Sequence, residues 1–169
     1  MNFALVSDYR KHFGIFEPFI GATLRSLTFA QYHYNGTPSG KDMGPLQLGF
    51  DPSRFLLLSL ASDGEAVIAS HDRLIVQAGF ALEHGRRLEW LRTGGDNEFI
   101  GQRLLAVDAQ VSRTGNSAPF TSGWIVHFEN GFIGYHNFGD DAYILYNRHA
   151  PPCEYMTTSL ERIAGQPVG

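Results

Sequence analysis

Apolar and polar residues alternate with period two through GWIVHFENGFIGYHNFGDDAYI, residues 123–144. That is the signature of β-strands with one buried face. Asn130-Gly131 sits between the two runs, and this dipeptide favours the tight turn of a hairpin. A two-residue turn there predicts the pairs Glu129–Phe132, Phe128–Ile133, His127–Gly134, Val126–Tyr135 and Ile125–His136. One face then carries Trp124, Val126, Phe128, Ile133 and Tyr135, a core surface. The other carries Ile125, His127, Glu129, Phe132, Gly134, His136 and Phe138, and is expected to be the less buried.

The pattern recurs along the chain. FIGATLRSL (19–27) matches FIGQRLLAV (99–107), GPLQLGF (44–50) matches GWIVHF (123–128), and RFLLLSLASDGEAVI (54–68) matches GFIGYHNFGDDAYI (131–144). The order is kept and the offset shrinks only at loops, so 19–68 and 99–144 read as two copies of one unit. Each unit predicts a short helical turn, a strand of about ten residues (Leu24 to Tyr34, Leu104 to Arg113) and a hairpin. Glu17-Pro18 and Asp96-Asn97 suit the helix starts. YNGTPSGKDMG and TGNSAPFTSG read as the loops before each hairpin, and Asp51-Pro52-Ser53 as the first copy's turn. The expected architecture is a β-rich α+β fold, one domain over 1–169, with the two units packed about a pseudo-twofold axis. Residues 69–98 form the linker, in which 86–92 suits a short helix or a strand. The tail is 145–169, and Thr158 to Ala164 reads as a closing helical turn.

Composition narrows the class. Hydrophobic residues make up 43% and charged residues 18%, as in an ordinary globular chain rather than a disordered one. The longest apolar run, Phe55 to Leu58, is far shorter than a membrane-spanning helix. The N-terminal stretch lacks the apolar core of a signal peptide, and Cys153 has no second cysteine to pair with, so a cytoplasmic location is expected. Seventeen acidic against thirteen basic residues give a net charge of −4, which argues against a nucleic-acid binder. No Lys or Arg lies between Arg113 and Arg148, whereas Glu129, Asp140 and Asp141 do. Solvated faces of an ordinary globular protein explain this distribution, and the alternative expectation is an acidic surface that the second half offers to a basic partner.

Candidate chemistry is sparse. On the predicted register His127 and His136 are diagonal neighbours with Glu129 on the same side, the outside candidates for zinc or iron. Packed or solvent-facing histidines explain the same residues, the first copy has Gly49 and Ser59 in their places, and no metal or cofactor is expected. Asp63-Gly64-Glu65 and Gly139-Asp140-Asp141 occur at matching positions, which suits loop-locking carboxylates. Catalytic motifs such as GxSxG, the Walker loop and GxGxxG after a strand are absent from the sequence.

LQLGF followed by SDGEAVI, and VHFENG followed by NFGDDAYI, resemble the small acidic immunity proteins of bacterial polymorphic toxin systems. The resemblance implies a non-enzymatic protein that binds a basic cognate toxin domain. On that expectation the partner-binding residues are Glu129, His136, Asp140, Asp141 and Tyr143. The alternative is an enzyme or a small-ligand or metal binder, with its site on the His127/Glu129/His136 face or between the two units.

Overall fold

The computed structural model describes residues 13–51, 53–61, 66–73, 80–81, 86–93, 97–139 and 141–166. Helix is confined, among these residues, to α1 (Phe13–Phe16) and a 3-10 turn, Glu17–Phe19, with Pro18 in its first positions. The strands all belong to one antiparallel sheet, so the chain is β-rich with far less helix than an α+β reading anticipates.

Two meanders build the sheet. In the first, β1 (Ser26–Tyr34), β2 (Thr37–Asp51), β3 (Arg54–Leu60) and β4 (Val67–Ser70) pair in succession. The stretch between them contains β5 (Phe80–Ala81) and β6 (Arg86–Thr93), so 86–92 is a strand; β6 returns to pair with β1. In the second, β7 (Leu104–Arg113), β8 (Phe120–Phe128), β9 (Gly131–Phe138) and β10 (Asp141–Tyr146) pair in succession. β11 (Thr157–Gly165) then returns to pair with β7. The tail expected to be helical is thus a strand, because its Thr157, Thr158 and Ile163 favour extended backbone and β7 offers a free edge.

Among the described residues, backbone pairing joins the meanders at two places. The first is β2, whose Met43 pairs with Ala142 of β10. The second is a reciprocal set of backbone bonds between the two FIG segments. Gly21 N–H donates to the carbonyl of Leu104 at 2.7 Å, and Gly101 N–H to that of Leu24 at 2.8 Å. Leu24 N–H donates to Gln102 at 2.8 Å, and Leu104 N–H to Ala22 at 2.9 Å. Gly21 (φ 83) and Gly101 (φ 91) both occupy the left-handed region that these reversals need. Phe19 and Phe99 follow the same logic: each is buried, Phe19 against Phe50 at 5.0 Å and Phe99 against Phe128 at 5.4 Å between ring centroids.

A single buried cluster draws on both meanders, with Leu46, Leu48, Leu56 and Leu58 from the first and Trp124, Val126, Phe128, Ile133 and Tyr135 from the second. Phe16 of α1 packs on Trp124 at 4.8 Å, and the Tyr135 hydroxyl donates across the core to the Gly44 carbonyl at 3.1 Å. These contacts anchor the inner faces of β8 and β9 in the core.

Two turns differ from expectation. YNGTPSGKDMG is not a loop; Asn35 (φ 50) and Gly36 (φ 81) form a tight reversal and β2 begins at Thr37. In the β8–β9 hairpin the corner is Glu129-Asn130, because Phe128 pairs with Gly131, Val126 with Ile133 and Trp124 with Tyr135. The reason lies in neighbouring side chains. Arg103 binds the Glu129 carboxylate through its backbone N–H at 3.1 Å and its guanidinium at 2.7 and 3.0 Å, while Gln102 accepts the Asn130 N–H at 2.9 Å. This corner moves the register by two residues from the expected pairs. An even shift leaves every side chain on its expected face.

Candidate functional site

The outer face of β7–β11 is where polar residues enter the fold. The register sets His136 opposite Gly123, four residues along β9 from Phe132, the partner of His127. At about 3.4 Å per residue, roughly 14 Å of strand separates the two histidines, so they are not diagonal neighbours. Each member of the expected His127/Glu129/His136 set has a different fate. His127 Nε2 lies 2.7 Å from Asp108 Oδ2. Glu129 is bound by Arg103, whose hydrogen bonds hold its carboxyl below the usual range. His136 is fully buried. Among the described residues no three His, Cys, Asp or Glu side chains gather closely enough to hold a metal ion.

Asp108 and Arg162 were not singled out from the sequence. Asp108 is a carboxylate in the middle of the apolar run LLAVDAQV, the one signal that could have marked it. Arg162 reaches it from β11 through Nε, and through a second guanidinium nitrogen at 3.3 Å. Burial works to raise the Asp108 pKa, but the hydrogen bonds from Arg162 and His127 outweigh burial and keep it below the ordinary value. The trio therefore acts as a satisfied hydrogen-bonded clasp across β11, β7 and β8, with the Arg162–Asp108 ion pair at its centre. His127 also packs on Phe132, and Phe132 stacks on His149 at 4.8 Å.

His136 has the opposite character. Neither ring nitrogen has a hydrogen-bond partner among the described residues. Burial, with a smaller repulsion from His149, lowers its pKa from 6.5 to about 4, so the ring is neutral at pH 7. The imidazole lies over the sheet in space that two glycines leave open. A Cβ at Gly123 would meet Nδ1 at 2.5 Å, and one at Gly134 would press on Nε2. Gly123→Ala is therefore expected to cost about 1–3 kcal/mol, as overpacking does. The Tyr135 carbonyl at 3.2 Å and Gln110 at 3.3 Å leave that Cβ no side to which it can yield. Thermal unfolding of the variant checks this, and an unchanged midpoint would contradict it.

A cavity of about 280 Å³ opens above this ring, roofed by the segment after β10. Asn147 makes the fold-back. It takes φ 55, donates its N–H to the Phe132 carbonyl at 2.9 Å and accepts the Phe132 N–H on Oδ1 at 2.9 Å. Gly131 lacks the Cβ that would collide with that same Asn147 carboxamide. Arg148 to Pro151 thus lie over β9–β10, and with Tyr143 and Leu145 they form the cavity wall.

Of the expected contact residues, Tyr143 lines this cavity, Asp141 begins β10 and is partly buried, and Asp140 lies outside the described residues. The matching Asp63-Gly64-Glu65 turn lies outside them as well. The face expected to be less buried holds Ile125 and His136 at 0% exposure, because the roof segment and the strand network cover it.

Comparison with protein-family models, curated proteins and solved structures finds no match. The geometry alone therefore carries any functional reading. Among the described residues no helix is long and apolar enough to cross a membrane.

Proposed function

We propose that the chain is a non-enzymatic binding module that captures another protein, as an immunity-type inhibitor of a cognate basic toxin domain in the cytoplasm. The observation that carries this is the edge strand β11. It ends the strand order, and among the described residues only β7 pairs with it. Leu160 on this strand is 51% exposed and Tyr155 just before it is 80% exposed. An open edge offers a row of backbone donors and acceptors to a partner strand, and exposed apolar side chains add specificity. The net charge of −4 favours a basic partner. Asp140, Asp141 and Tyr143 remain proposed contacts, Glu129 is one already engaged by Arg103, and the fully buried His136 is not one.

Co-expression with the products of the adjacent genes tests the proposal. The expected result is a stoichiometric complex with a basic domain encoded next door and relief of its toxicity. Leu160→Lys should weaken that complex at least about tenfold without lowering the melting temperature, as loss of an interface anchor does. Failure of every adjacent product to bind, or a complex indifferent to Leu160→Lys, would overturn it.

We infer also that 19–68 and 99–144 descend from one duplicated segment, packed about a pseudo-twofold axis. Support comes from the reciprocal Gly21–Leu104 and Gly101–Leu24 bonds, the Phe19–Phe50 and Phe99–Phe128 pairs, and the shared four-strand meander order. A second functional reading, a small-ligand binder, is favoured by the cavity over His136.

A further inference from the structure

We propose that the cavity over His136 is a binding site for a small aromatic monocarboxylate. This takes up the small-ligand reading and does not depend on capture of a protein along β11. Four features converge on that ligand class.

Size comes first. An apolar cavity of about 150 Å³ accommodates benzene. A space of about 280 Å³ therefore has room for one aromatic ring with its substituent. Lining comes second: Leu145, Ala150 and Pro151 supply apolar wall, while Tyr143 and His149 supply ring faces. Flat aromatic surface packs on such a wall in offset or tilted geometry. His149 is itself braced by stacking on Phe132, so this wall is set before a ligand arrives.

Charge is third. Among the described residues Arg148 is the lining residue with a permanent charge, it is exposed, and no acidic side chain lines the cavity. A guanidinium at the rim of an apolar pocket pairs with a carboxylate through two parallel N–H···O bonds. The floor is fourth. His136 is 0% exposed and carries a donor and an acceptor without partners among the described residues. Gly123 and Gly134 exist in this sheet at the two positions where any side chain would displace the ring. The imidazole thus gives the cavity a fixed, neutral, flat floor, while its two nitrogens face the Gly123 and Gly134 positions of the sheet.

Titration of the full chain with benzoate, benzamide and acetate tests this, read by calorimetry and by NMR of the imidazole nitrogens. Benzoate is expected to saturate with a dissociation constant below about 1 mM and to shift the His136 nitrogens. Benzamide, which has the ring without the charge, and acetate, which has the charge without the ring, should each bind at least about tenfold more weakly. Arg148→Gln lies at the surface and should keep the parent's melting temperature while weakening benzoate about tenfold or more. Ala150→Trp, which fills the space, should abolish the shifts. The proposal is overturned by benzoate that leaves His136 unmoved, by benzamide or acetate matching benzoate, or by either variant binding like the parent. None of these outcomes bears on the complex expected along β11.

Discussion

Truncating Phe99 to alanine is expected to lower the unfolding free energy by about 3–5 kcal/mol, and truncating Phe19 to do nearly the same. Both rings are essentially excluded from solvent, at 0% and 2% exposure. Both sit in the turns that exchange hydrogen bonds between the meanders, and each packs on the end of a core strand, Phe128 or Phe50. Loss of either ring leaves a cavity that its surroundings cannot fill, since the turn above it is pinned by bonds to the other meander. Denaturant unfolding measures both values. If one variant lost several kcal/mol and the other less than about 1 kcal/mol, the two segments would not carry equivalent loads, and the proposed duplication would lose its energetic basis.

The second large effect is on acid stability. His136 titrates near 6.5 when unfolded, while burial lowers its pKa to about 4 in the fold. Between these values the unfolded chain takes up a proton that the folded chain refuses. Stability contributed here is full above pH 6.5 and falls as pH drops through the window, by about 3 kcal/mol at its lower end. Asp108 also has a lowered pKa, so its clasp with Arg162 and His127 loses stability as pH falls, but below the ordinary carboxylate value of 3.8. The two losses occupy different windows. His136→Phe removes the upper one and leaves the lower. At pH 7 this variant should be at least as stable as the parent, because an apolar ring replaces two unpaired nitrogens. Equilibrium unfolding at pH 7, 5.5 and 4.5 checks both statements. A parent curve no steeper than that of His136→Phe between pH 6.5 and 4.5 would contradict the first. A variant weaker than the parent at pH 7 would contradict the second.

The strands of the second half were legible because their alternation was clean. Trp124, Val126, Phe128, Ile133 and Tyr135 are the inner face, and Leu104–Arg113 is the strand before them. In the tail, Thr158 to Ala164 suits a helical turn as well as a strand, and only the free edge of β7 decides for the strand. The β8–β9 corner was misplaced for a similar reason. Asn130-Gly131 is a strong local turn signal, but Arg103 and Gln102, far off in the chain, hold Glu129-Asn130 at the corner instead. The Asn35-Gly36 turn, obeying the same local signal without such competition, forms as that dipeptide favours.

By itself the sequence determined which side chains of the hairpin share a face, because alternation survives an even shift of register, but not that both faces are covered. It also determined the β-rich character and the acidic balance, which depend only on residue types. Tertiary structure alone decided what shares a site. The two-residue shift at Glu129 sent His127 to Asp108 and Arg162, and left His136 over Gly123 beneath the Asn147 fold-back. Faces follow from the local geometry of the backbone, whereas neighbours across strands follow from contacts that residues distant in the chain make with one another.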